Sequence, residues 1–208
     1  AISRSDEPDD VFLPYKWENK TISNLSFVQL DLNNDLSDII QKIKTFRPNY
    51  IVNFAAQGMV AESWKAPEDW YQTNVVSQVK LHDSLRQCDF IEKFVNISTP
   101  EVYGSTEGWV DESFRFAPNT PYAVSRAACD LHLMSFFRNY DFPVTFTRAA
   151  NVFGEGQQLY RIVPKTIMSG VLGRELSLHG GGTSERSFIH IDDVSDATYK
   201  VMKRGICL

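Results

Sequence analysis

A phenol and a permanent cation stand four residues apart in the segment Tyr122-Ala-Val-Ser-Arg126. If this segment is helical, the spacing places both side chains on one face, a single turn apart. A free phenol has a pKa of about 10, so it exchanges protons near neutral pH only when a positive charge lies close by. Arginine keeps such a charge permanently. The pair could therefore do acid–base chemistry.

Two other polar groups follow apolar runs that are typical of buried strands. Asn53-Phe-Ala-Ala-Gln57 begins within the run Tyr50–Phe54, and Ser98-Thr99-Pro100-Glu101 follows the run Lys93–Ser98. The hydroxyl of Thr99 and the carboxylate of Glu101 thus lie at the end of one predicted strand. The amides of Asn53 and Gln57 lie at the end of another. These are residue types that bind or move protons.

The elements that must position these groups alternate along the chain. The predicted strands are Ser26–Leu30, Tyr50–Phe54, Lys93–Ser98 and Pro143–Thr147, and the predicted helices are Leu36–Phe46, Trp70–Gln87 and Tyr122–Tyr140. Apolar strands that alternate with helices indicate an α/β fold with a doubly wound parallel sheet. Ligands bind such sheets beyond the carboxyl ends of the strands, so the loops after Phe54, Ser98 and Arg148 are the expected site.

The composition changes after Asn151, where glycine and proline become frequent. We predict a helix at Ile162–Leu172, short strands at Leu176–His179 and Ser187–His190, and a last helix at 192–203 capped by Asp192 or Asp193. This change predicts two units, a dinucleotide-binding domain over residues 1–157 and part of a smaller substrate domain over residues 158–208.

The first residues resemble the end of a strand, because Ala1–Ser5 is short and partly apolar. A doubly wound sheet normally opens with a strand, a glycine-rich turn and a helix, and the turn lets backbone N–H groups approach a pyrophosphate. Neither GxGxxG nor GxxGxxG occurs in the 208 residues. We therefore expect the sequence to lack the first strand, loop and helix of such a sheet.

Charge and composition narrow the partners. The net charge of -5 argues against nucleic acid and anionic membranes, and no apolar run is long enough to span a bilayer. Cys88, Cys129 and Cys207 are widely spaced and odd in number, which favours reduced thiols and a cytoplasmic location. Four residues could suggest a metal, but strand and helix-cap roles suit them better, so we expect no metal site. They are His179, His190, Asp192 and Asp193.

Five short motifs now occur in order on the predicted elements. They are Asn53–Gln57, Ser98–Gly104, Tyr122–Arg126, the segment Arg148-Ala-Ala-Asn151-Val-Phe-Gly154, and the segment Arg186-Ser-Phe-Ile-His190-Ile-Asp-Asp193-Val. Together they resemble the extended short-chain dehydrogenase/reductases, and among these the NDP-sugar 4,6-dehydratases. The resemblance covers nearly the whole chain and implies a Rossmann-like sheet, a nicotinamide cofactor and a nucleotide-sugar substrate.

The resemblance assigns roles to four residues. Tyr122 takes the proton of the sugar 4-hydroxyl as hydride leaves C4, Thr99 orients that exchange, and Glu101 removes the C5 proton before hydroxide leaves C6. The family has lysine where this chain has Arg126, whose planar fork is not equivalent to an ammonium. Pro100 replaces an aspartic acid that protonates the leaving hydroxyl in dTDP-glucose dehydratases, although GDP-mannose dehydratases also lack that acid.

The same resemblance implies a set of cofactor contacts. Besides Tyr122 and Arg126, it places six residues along NAD or NADP. Asn74 belongs to the long helix beneath the site, and the other five are Asp31, Leu32, Ala55, Ala56 and Gln57. The end of the strand at Ser3-Arg4-Ser5 favours NADP weakly, because arginine accommodates a ribose 2′-phosphate.

On the substrate side, the resemblance places Asn151, Lys165 and Arg186 at the diphosphate of the sugar nucleotide. Arginine suits that role best, because its fork binds a phosphate through two hydrogen bonds. The resemblance also implies a homodimer that packs through the helices at 70–87 and 122–140.

Three alternatives stay open at this point. A C4 epimerase or a decarboxylase of the same fold would also use Glu101 or Tyr122. A non-catalytic homologue that only binds cofactor or sugar nucleotide would explain Arg126, Pro100 and the missing glycine-rich loop. A dehydrogenase that does not act on sugars is disfavoured by the loop that carries Glu101.

Overall fold

Parallel strands form the frame of the molecule. The computed structural model describes residues 1–17, 24–183 and 185–207. Three strands form the central sheet in the order β3 (Tyr50–Asn53), β4 (Lys93–Ile97) and β5 (Val144–Thr147), all parallel. Two further sheets are each a parallel pair of strands. They are β1 (Ile2–Ser3) with β2 (Val28–Gln29), and β6 (Asn151–Phe153) with β7 (Phe188–His190).

Helices connect these strands. The α-helices are α1 (Pro14–Trp17), α2 (Leu36–Phe46), α3 (Pro67–Tyr71), α4 (Gln78–Leu85), α5 (Pro121–Tyr140), α6 (Ile162–Val171) and α7 (Ile191–Arg204). A π-helical segment, Gln72–Ser77, joins α3 to α4. Short 3₁₀ helices lie at Asp10–Phe12, Glu62–Trp64, Pro100–Tyr103 and His179–Gly182. The structure confirms the predicted Rossmann-like α/β class with parallel sheets.

The core lies against β4. Phe94 packs into a cluster with Leu85 of α4 and Leu133 of α5, and all three side chains are essentially inaccessible to solvent. Val95 points to the opposite face, because side chains alternate along a strand, and it is equally buried. On the sheet, α7 packs against β4 and β5. A strand buried on both faces reads as a continuous apolar run, which is why this element was predictable.

Several sequence predictions about local structure were wrong or incomplete. The helix predicted at Trp70–Gln87 is divided into α3, the π-helical segment and α4, and the strand predicted at Ser26–Leu30 is only the two-residue β2. The strand predicted at Leu176–His179 is irregular chain that leads into a 3₁₀ helix, because Gly181 and Gly182 adopt positive φ angles of 70° and 74°. The last helix begins at Ile191, and His190 rather than an aspartate caps it. The short strand β6 was not predicted.

The cap explains why the two aspartates do not begin the last helix. Nδ1 of His190 accepts a hydrogen bond from the backbone N–H of Asp192 at 3.3 Å. Asp192 and Asp193 therefore fall in the first turn of α7, where negative charge interacts favourably with the helix dipole.

Among the described residues, no helix combines the length and the apolar character that crossing a bilayer requires.

A neutral histidine is enclosed in this core. His82 of α4 lies edge-on to Phe94, with ring centroids 5.2 Å apart, and stacks on His132 of α5 at 5.6 Å. Neither ring nitrogen of His82 has a hydrogen-bond partner among the described residues. Burial, with smaller contributions from the charges of His132 and Arg126, lowers the pKa of His82 from 6.5 to about 3.

This burial makes stability depend on pH. The folded protein keeps His82 neutral, whereas the unfolded chain takes up a proton below its ordinary pKa of 6.5. The contribution of His82 is therefore complete above that value and is lost as the pH falls from 6.5 toward 3, at roughly 1.4 kcal/mol per pH unit. We expect the free energy of unfolding in urea to be about 2 kcal/mol smaller near pH ~5 than near pH ~7.

The matched variant is His82→Leu, which cannot titrate and suits the aromatic surroundings. Its free energy of unfolding should vary less with pH than that of the wild type over the same range. His132→Gln should keep most of the dependence, because His132 is only half-buried and its pKa is lowered less by burial. Equal pH dependence in the wild type and His82→Leu would show that His82 has the same pKa in the folded and unfolded states.

Candidate active site

The carboxylate of Glu101 lies on a fixed turn at the carboxyl end of β4. Thr99 is buried and caps the 3₁₀ helix Pro100–Tyr103, where its Oγ1 accepts a hydrogen bond from the N–H of Glu101 at 3.3 Å. Proline suits the first position of such a helix, because no N–H is needed there. Gly104 ends it with a φ of 72°, and a Cβ at this position would come within 2.1 Å of the carbonyl oxygen of Ala117.

The turn brings a predicted catalytic residue next to a predicted substrate residue. Oε1 of Glu101 lies 3.7 Å from Nη1 of Arg186, although the two residues are far apart in the sequence. Their side chains are 34% and 57% exposed, so the ion pair itself contributes little to stability. It does show that the guanidinium of Arg186 and the carboxylate of Glu101 share one exposed surface.

Helix α5 carries the phenol and the cation. Thr120 caps the helix by accepting a hydrogen bond from the N–H of Ala123 at 3.1 Å, and the N–H of Tyr122 donates to Oγ of Ser63 at 3.2 Å. Tyr122 itself is half-buried. The start of α5 is thus tied to the 3₁₀ helix Glu62–Trp64, and α5 also packs against the 3₁₀ helix that carries Glu101.

Arg126 extends into the protein. Its residue is only 2% exposed, and its Nη2 donates to the carbonyl oxygen of Ile97, the last residue of β4. The other terminal nitrogen, Nη1, is buried and has no hydrogen-bond partner among the described residues. A permanent charge is therefore held under the end of β4 with one donor group unused.

The loop after β3 is held by an amide in the π-helical segment. The N–H of Gln57 donates to Oδ1 of Asn74 at 2.7 Å, while Nδ2 of Asn74 donates to the carbonyl oxygen of Gln57 at 3.0 Å and to Oγ of Ser125 at 2.9 Å. Asn74 is fully buried, so it supports the loop from beneath. Ala55 and Ala56 lie on the exposed side of this loop. A π-helical turn is frequent at functional sites because it redirects side chains.

The remaining predicted cofactor residues lie at the ends of β1 and β2. The carboxylate of Asp31 accepts from the backbone of Asn33 and from Nδ2 of Asn34, each at 2.9 Å, and Leu32 belongs to the core. Nη1 of Arg4 donates to Oε1 of Gln57 at 3.4 Å. Both side chains line a polar cleft of about 210 Å³, and the residues that line it are Arg4, Asn33, Gln57, Asp69, Gln72 and Thr73.

The donors around this cleft fit part of a dinucleotide. A guanidinium, three amides and a hydroxyl can satisfy ribose hydroxyls or a phosphate, which need donors rather than apolar contacts. The exposed cation of Arg4 is the group best suited to a phosphate.

Two predicted substrate residues lie apart from Glu101. Nδ2 of Asn151 donates to the carbonyl oxygen of Ser187 at 2.8 Å and so links β6 to β7. Lys165 is exposed on α6, and its ammonium forms neither an ion pair nor a hydrogen bond with any other residue that the structure describes. Only Arg186 of the three contacts another predicted site residue.

A buried polar network beneath the strand ends was missed by the sequence analysis. It joins the three central strands to α4 and α5 through six side chains, namely Asn53, Gln78, Asn96, Ser98, Asp130 and Arg148. Asp130 is its centre, because its carboxylate accepts from Asn96 at 3.1 Å, Ser98 at 2.6 Å and Arg148 at 2.9 Å.

Burial raises the pKa of Asp130, against the opposing effects of the Ser98 hydrogen bond and the nearby arginine charges. The signal for this residue was present in the sequence. Asp130 stands four residues after Arg126 and eight after Tyr122, which places all three on one face of α5.

The cluster closest to a metal site is exposed. His190 lies 3.5 Å from a carboxylate oxygen of Glu155 through Nε2 and 3.5 Å from one of Asp192 through Nδ1. Exposed acidic groups near a histidine are common without a metal. The side chain of His179 lies outside the described part, and the expectation of no metal stays a prediction.

Comparison with known proteins identifies the family. The model of the NAD dependent epimerase/dehydratase family matches residues 8–206. The dTDP-D-glucose 4,6-dehydratase of Homo sapiens is 34% identical over 192 residues, which cover 92% of this chain and 51% of that protein. The chain thus spans about half the length of this relative.

Solved structures agree with this match. DesIV, the dTDP-glucose 4,6-dehydratase of Streptomyces venezuelae with NAD bound, gives a TM-score of 0.79 at 29% identity, over 88% of this chain and 56% of that one. The UDP-N-acetylglucosamine 4-epimerase of Methanobrevibacter ruminantium gives 0.79 at 28% identity, over 88% and 59%. The chain belongs to the NAD dependent epimerase/dehydratase family.

Proposed function

We propose that this protein is an NAD(P)-dependent NDP-sugar 4,6-dehydratase that forms a 4-keto-6-deoxy sugar nucleotide. The observation that carries the proposal is the placement of Glu101. Its carboxylate lies on a capped turn at the end of β4, beside Arg186 and against the helix that presents Tyr122. Relatives and solved structures named as 4,6-dehydratases support the same chemistry.

The residues divide the reaction into two proton transfers. Tyr122 takes the proton from the sugar 4-hydroxyl, and the charge of Arg126 favours the phenolate that makes this transfer possible. Thr99 orients the reacting oxygen. A bound nicotinamide would accept the hydride from C4 and later return it to C6. The resulting 4-ketone makes the C5 proton acidic, because the carbanion delocalises into the carbonyl.

Glu101 then acts on the other side of the sugar. It removes the C5 proton, a C5–C6 double bond forms, and the C6–O bond breaks. Pro100 has no proton to give to the leaving hydroxide. We therefore assign both roles to Glu101, which delivers the proton it has taken so that the hydroxide leaves as water. After hydride reaches C6, C5 takes a proton from water, and Tyr122 releases to water the proton it took from the 4-hydroxyl, so both side chains return to their starting states.

For the cofactor, we propose NAD or NADP, and Arg4 weakly favours NADP because an arginine can bind the ribose 2′-phosphate. The proposed contacts are Arg4, Asp31, Leu32, Ala55, Ala56, Gln57, Asn74, Tyr122 and Arg126. The solved structure of DesIV binds NAD, and so does the UDP-glucuronic acid 4-epimerase of Bacillus cereus. The exposed guanidinium of Arg4 at the polar cleft is the feature that would accept an additional phosphate.

Replacing Arg4 by alanine tests this preference. We expect the Kd for NADP to rise about 10-fold, because a charge-assisted hydrogen bond to a phosphate is lost, while the Kd for NAD changes less than about 2-fold. Titration of the full-length protein with each cofactor, followed by calorimetry, measures both constants. Equal weakening for the two cofactors would assign Arg4 to the part that they share.

For the substrate, we propose a nucleotide sugar whose diphosphate is bound by Asn151, Lys165 and Arg186. Arg186 contributes most, because a diphosphate can replace Glu101 as its partner and offers more negative charge.

We further propose a cofactor domain at residues 1–157 and part of a substrate domain at residues 158–208.

We also propose a homodimer that packs through two helical segments from each subunit, α3 to α4 and α5. Leu131 of α5 is 49% exposed and is available for that contact, whereas Met134 is buried within the subunit.

We also propose a cytoplasmic location, which the three free thiols support. The net charge of -5 argues against nucleic-acid or membrane partners.

A C4 epimerase is the second candidate. The 4-epimerase of Methanobrevibacter ruminantium matches the chain with the same TM-score as DesIV. Epimerisation needs Tyr122 and the cofactor but no base at C5, so it leaves Glu101 without a function. A decarboxylase or a non-catalytic homologue has no comparable observation in its favour.

Mass spectrometry separates these candidates. The full-length protein is incubated with NAD or NADP and a panel of dTDP-glucose, GDP-mannose, UDP-N-acetylglucosamine and GDP-N-acetylglucosamine. A product lighter by one water supports the dehydratase, and a product of unchanged mass but inverted C4 supports the epimerase. Cofactor binding with no product of either kind would overturn both.

A further inference from the structure

The turn that carries Thr99 and Glu101 is held at both ends by one buried ion pair. Oδ2 of Asp130 accepts from Oγ of Ser98 at 2.6 Å and from Nη2 of Arg148 at 2.9 Å. Ser98 is the residue directly before Thr99. The side chains of Asp130 and Arg148 are 0% and 13% exposed, so this pair lies inside the protein.

The other end of the turn packs on the guanidinium of Arg148. Its Cζ lies within 5.2 to 5.7 Å of the centroids of four aromatic rings, those of Tyr103, Phe114, Phe116 and Phe146. Tyr103 is the last residue of the 3₁₀ helix that carries Glu101. A cation over aromatic faces is attracted by the ring electrons, and more strongly when water is excluded.

The segment after the turn closes over the same cation. The N–H of Ala117 donates to the carbonyl oxygen of Val102 at 3.0 Å, and the hydroxyl of Tyr103 donates to the carbonyl oxygen of Ser113 at 3.1 Å. Residues 103–117 therefore form a loop whose ends meet, with Phe114 and Phe116 turned toward Arg148.

We propose that Asp130 and Arg148 are positioning residues that place Glu101 for removal of the C5 proton. Asp130 fixes the start of the turn through Ser98, and Arg148 fixes its end through Tyr103. The hydrogen bonds that hold Tyr122 and Arg126 do not involve Arg148, so loss of Arg148 should act on the C5 step far more than on oxidation at C4. This inference rests on the proposed dehydratase function.

The test is Arg148→Met, which keeps the side-chain bulk but removes the charge. We expect kcat to fall about 10- to 100-fold with KM changed less than about 3-fold, because a displacement near 1 Å is enough for such a loss. With substrate deuterated at C5, the isotope effect on kcat should rise toward its intrinsic value. With substrate deuterated at C4, it should fall toward unity, because the C5 step then limits the rate.

A merely structural role gives a different pattern. If Arg148 only stabilises the fold, fewer molecules are active, kcat falls, and neither isotope effect changes. That result would overturn the inference. Arg148→Lys keeps the buried ion pair and so is expected to fold even if Arg148→Met does not, and it should shift both isotope effects in the same directions by a smaller amount.

The matched control is Arg86→Met. Arg86 also pairs with an aspartate, Asp83 at 2.7 Å, and lies 4.4 Å from the ring centroid of Tyr140. Tyr140 ends the 20-residue helix α5, roughly 30 Å from Tyr122 near its start. This variant should leave kcat and both isotope effects unchanged.

Hydrogen exchange of the protein without substrate gives a second readout that does not need activity. Arg148→Met should speed amide exchange in residues 98–117 and leave α2 unchanged, whereas Arg86→Met should not affect residues 98–117. If the wild type forms no dehydrated product, the proposed function fails while this readout still tests the anchoring of the turn. Unchanged exchange in residues 98–117 would contradict that anchoring.

Discussion

Replacing Glu101 by glutamine is expected to lower the rate of water elimination about a thousand-fold. The amide keeps the size of the side chain but can neither take the C5 proton nor give a proton to the leaving hydroxide, so both proposed roles are lost. Oxidation at C4 does not use this carboxylate. A chemically trapped 4-keto sugar that still carries its 6-hydroxyl should therefore accumulate.

The measurement is single-turnover kinetics with product analysis by mass spectrometry. Glu92→Gln is the control, because Glu92 is a carboxylate that binds Nδ2 of Asn49 at the amino end of β4, away from the turn. It should retain the wild-type rate. If Glu101→Gln dehydrates its substrate at more than about a tenth of the wild-type rate, the base is another residue.

The second large effect is expected from the pair on α5. Tyr122→Phe should lower kcat by about 100- to 10,000-fold, because the group that takes the proton from the 4-hydroxyl is removed. Arg126→Met should also lower kcat, by about 100-fold, because the phenolate loses the charge that stabilises it. Both losses concern C4 oxidation, so no 4-keto sugar should accumulate in either variant.

Arg126→Lys separates the charge from the shape of this side chain. Lysine restores the family's ammonium and removes the buried Nη1 that has no partner among the described residues. We expect it to retain at least about a third of the wild-type kcat, well above Arg126→Met. Steady-state kinetics of the three variants decides the point. Equal activity of Arg126→Met and the wild type would show that the buried charge plays no part in catalysis.

Arg126 differs from the family's lysine in how far its side chain reaches. An arginine is longer than a lysine and has more donors, so it reaches past the helix surface to the carbonyl oxygen of Ile97. Arg126 follows Tyr122 by one turn on the same face of α5. That its cation lies beside the phenol stays a prediction from this spacing, which lysine and arginine share.

Much of the frame could be predicted from the sequence because it depends on local periodicity. The apolar positions of Leu36, Ile39, Ile40 and Ile43 repeat at helical spacing, and the helix spans the predicted residues 36–46. The apolar runs of β3, β4 and β5 were likewise assigned within one residue at each end. The continuous apolar core makes these elements visible in the sequence.

The parts that could not be predicted depend on contacts distant in sequence. The strand β6 has only three residues and starts with a polar side chain, so only its pairing with β7 makes it a strand. The spacing of Asp130 puts it on the same face of α5 as Tyr122, but its partners Ser98 and Arg148 come from the ends of two strands that are distant in sequence. Arg186 could be predicted as a phosphate ligand by resemblance, but not as the partner of Glu101.

The turn that carries Glu101 likewise combines features set by the local sequence with contacts distant in sequence. Thr99, Pro100 and Gly104 specify it locally, through a cap, a first residue that needs no N–H and a positive φ. The aromatic residues that enclose Arg148 are spread over residues 103–146, so the sequence gives no sign that they meet. Local rules therefore predict that a turn exists, while distant contacts determine where it points.

One measurement tests the dehydratase proposal most directly, the fate of a deuterium atom placed on C4 of the nucleotide sugar. The full-length protein is incubated with this substrate and unlabelled NAD or NADP, and the product is examined by mass spectrometry and NMR. We predict a 4-keto-6-deoxy product that has lost one water and carries the deuterium on C6. A product of unchanged mass with the deuterium still on C4 would contradict the account and assign the protein to the C4 epimerases.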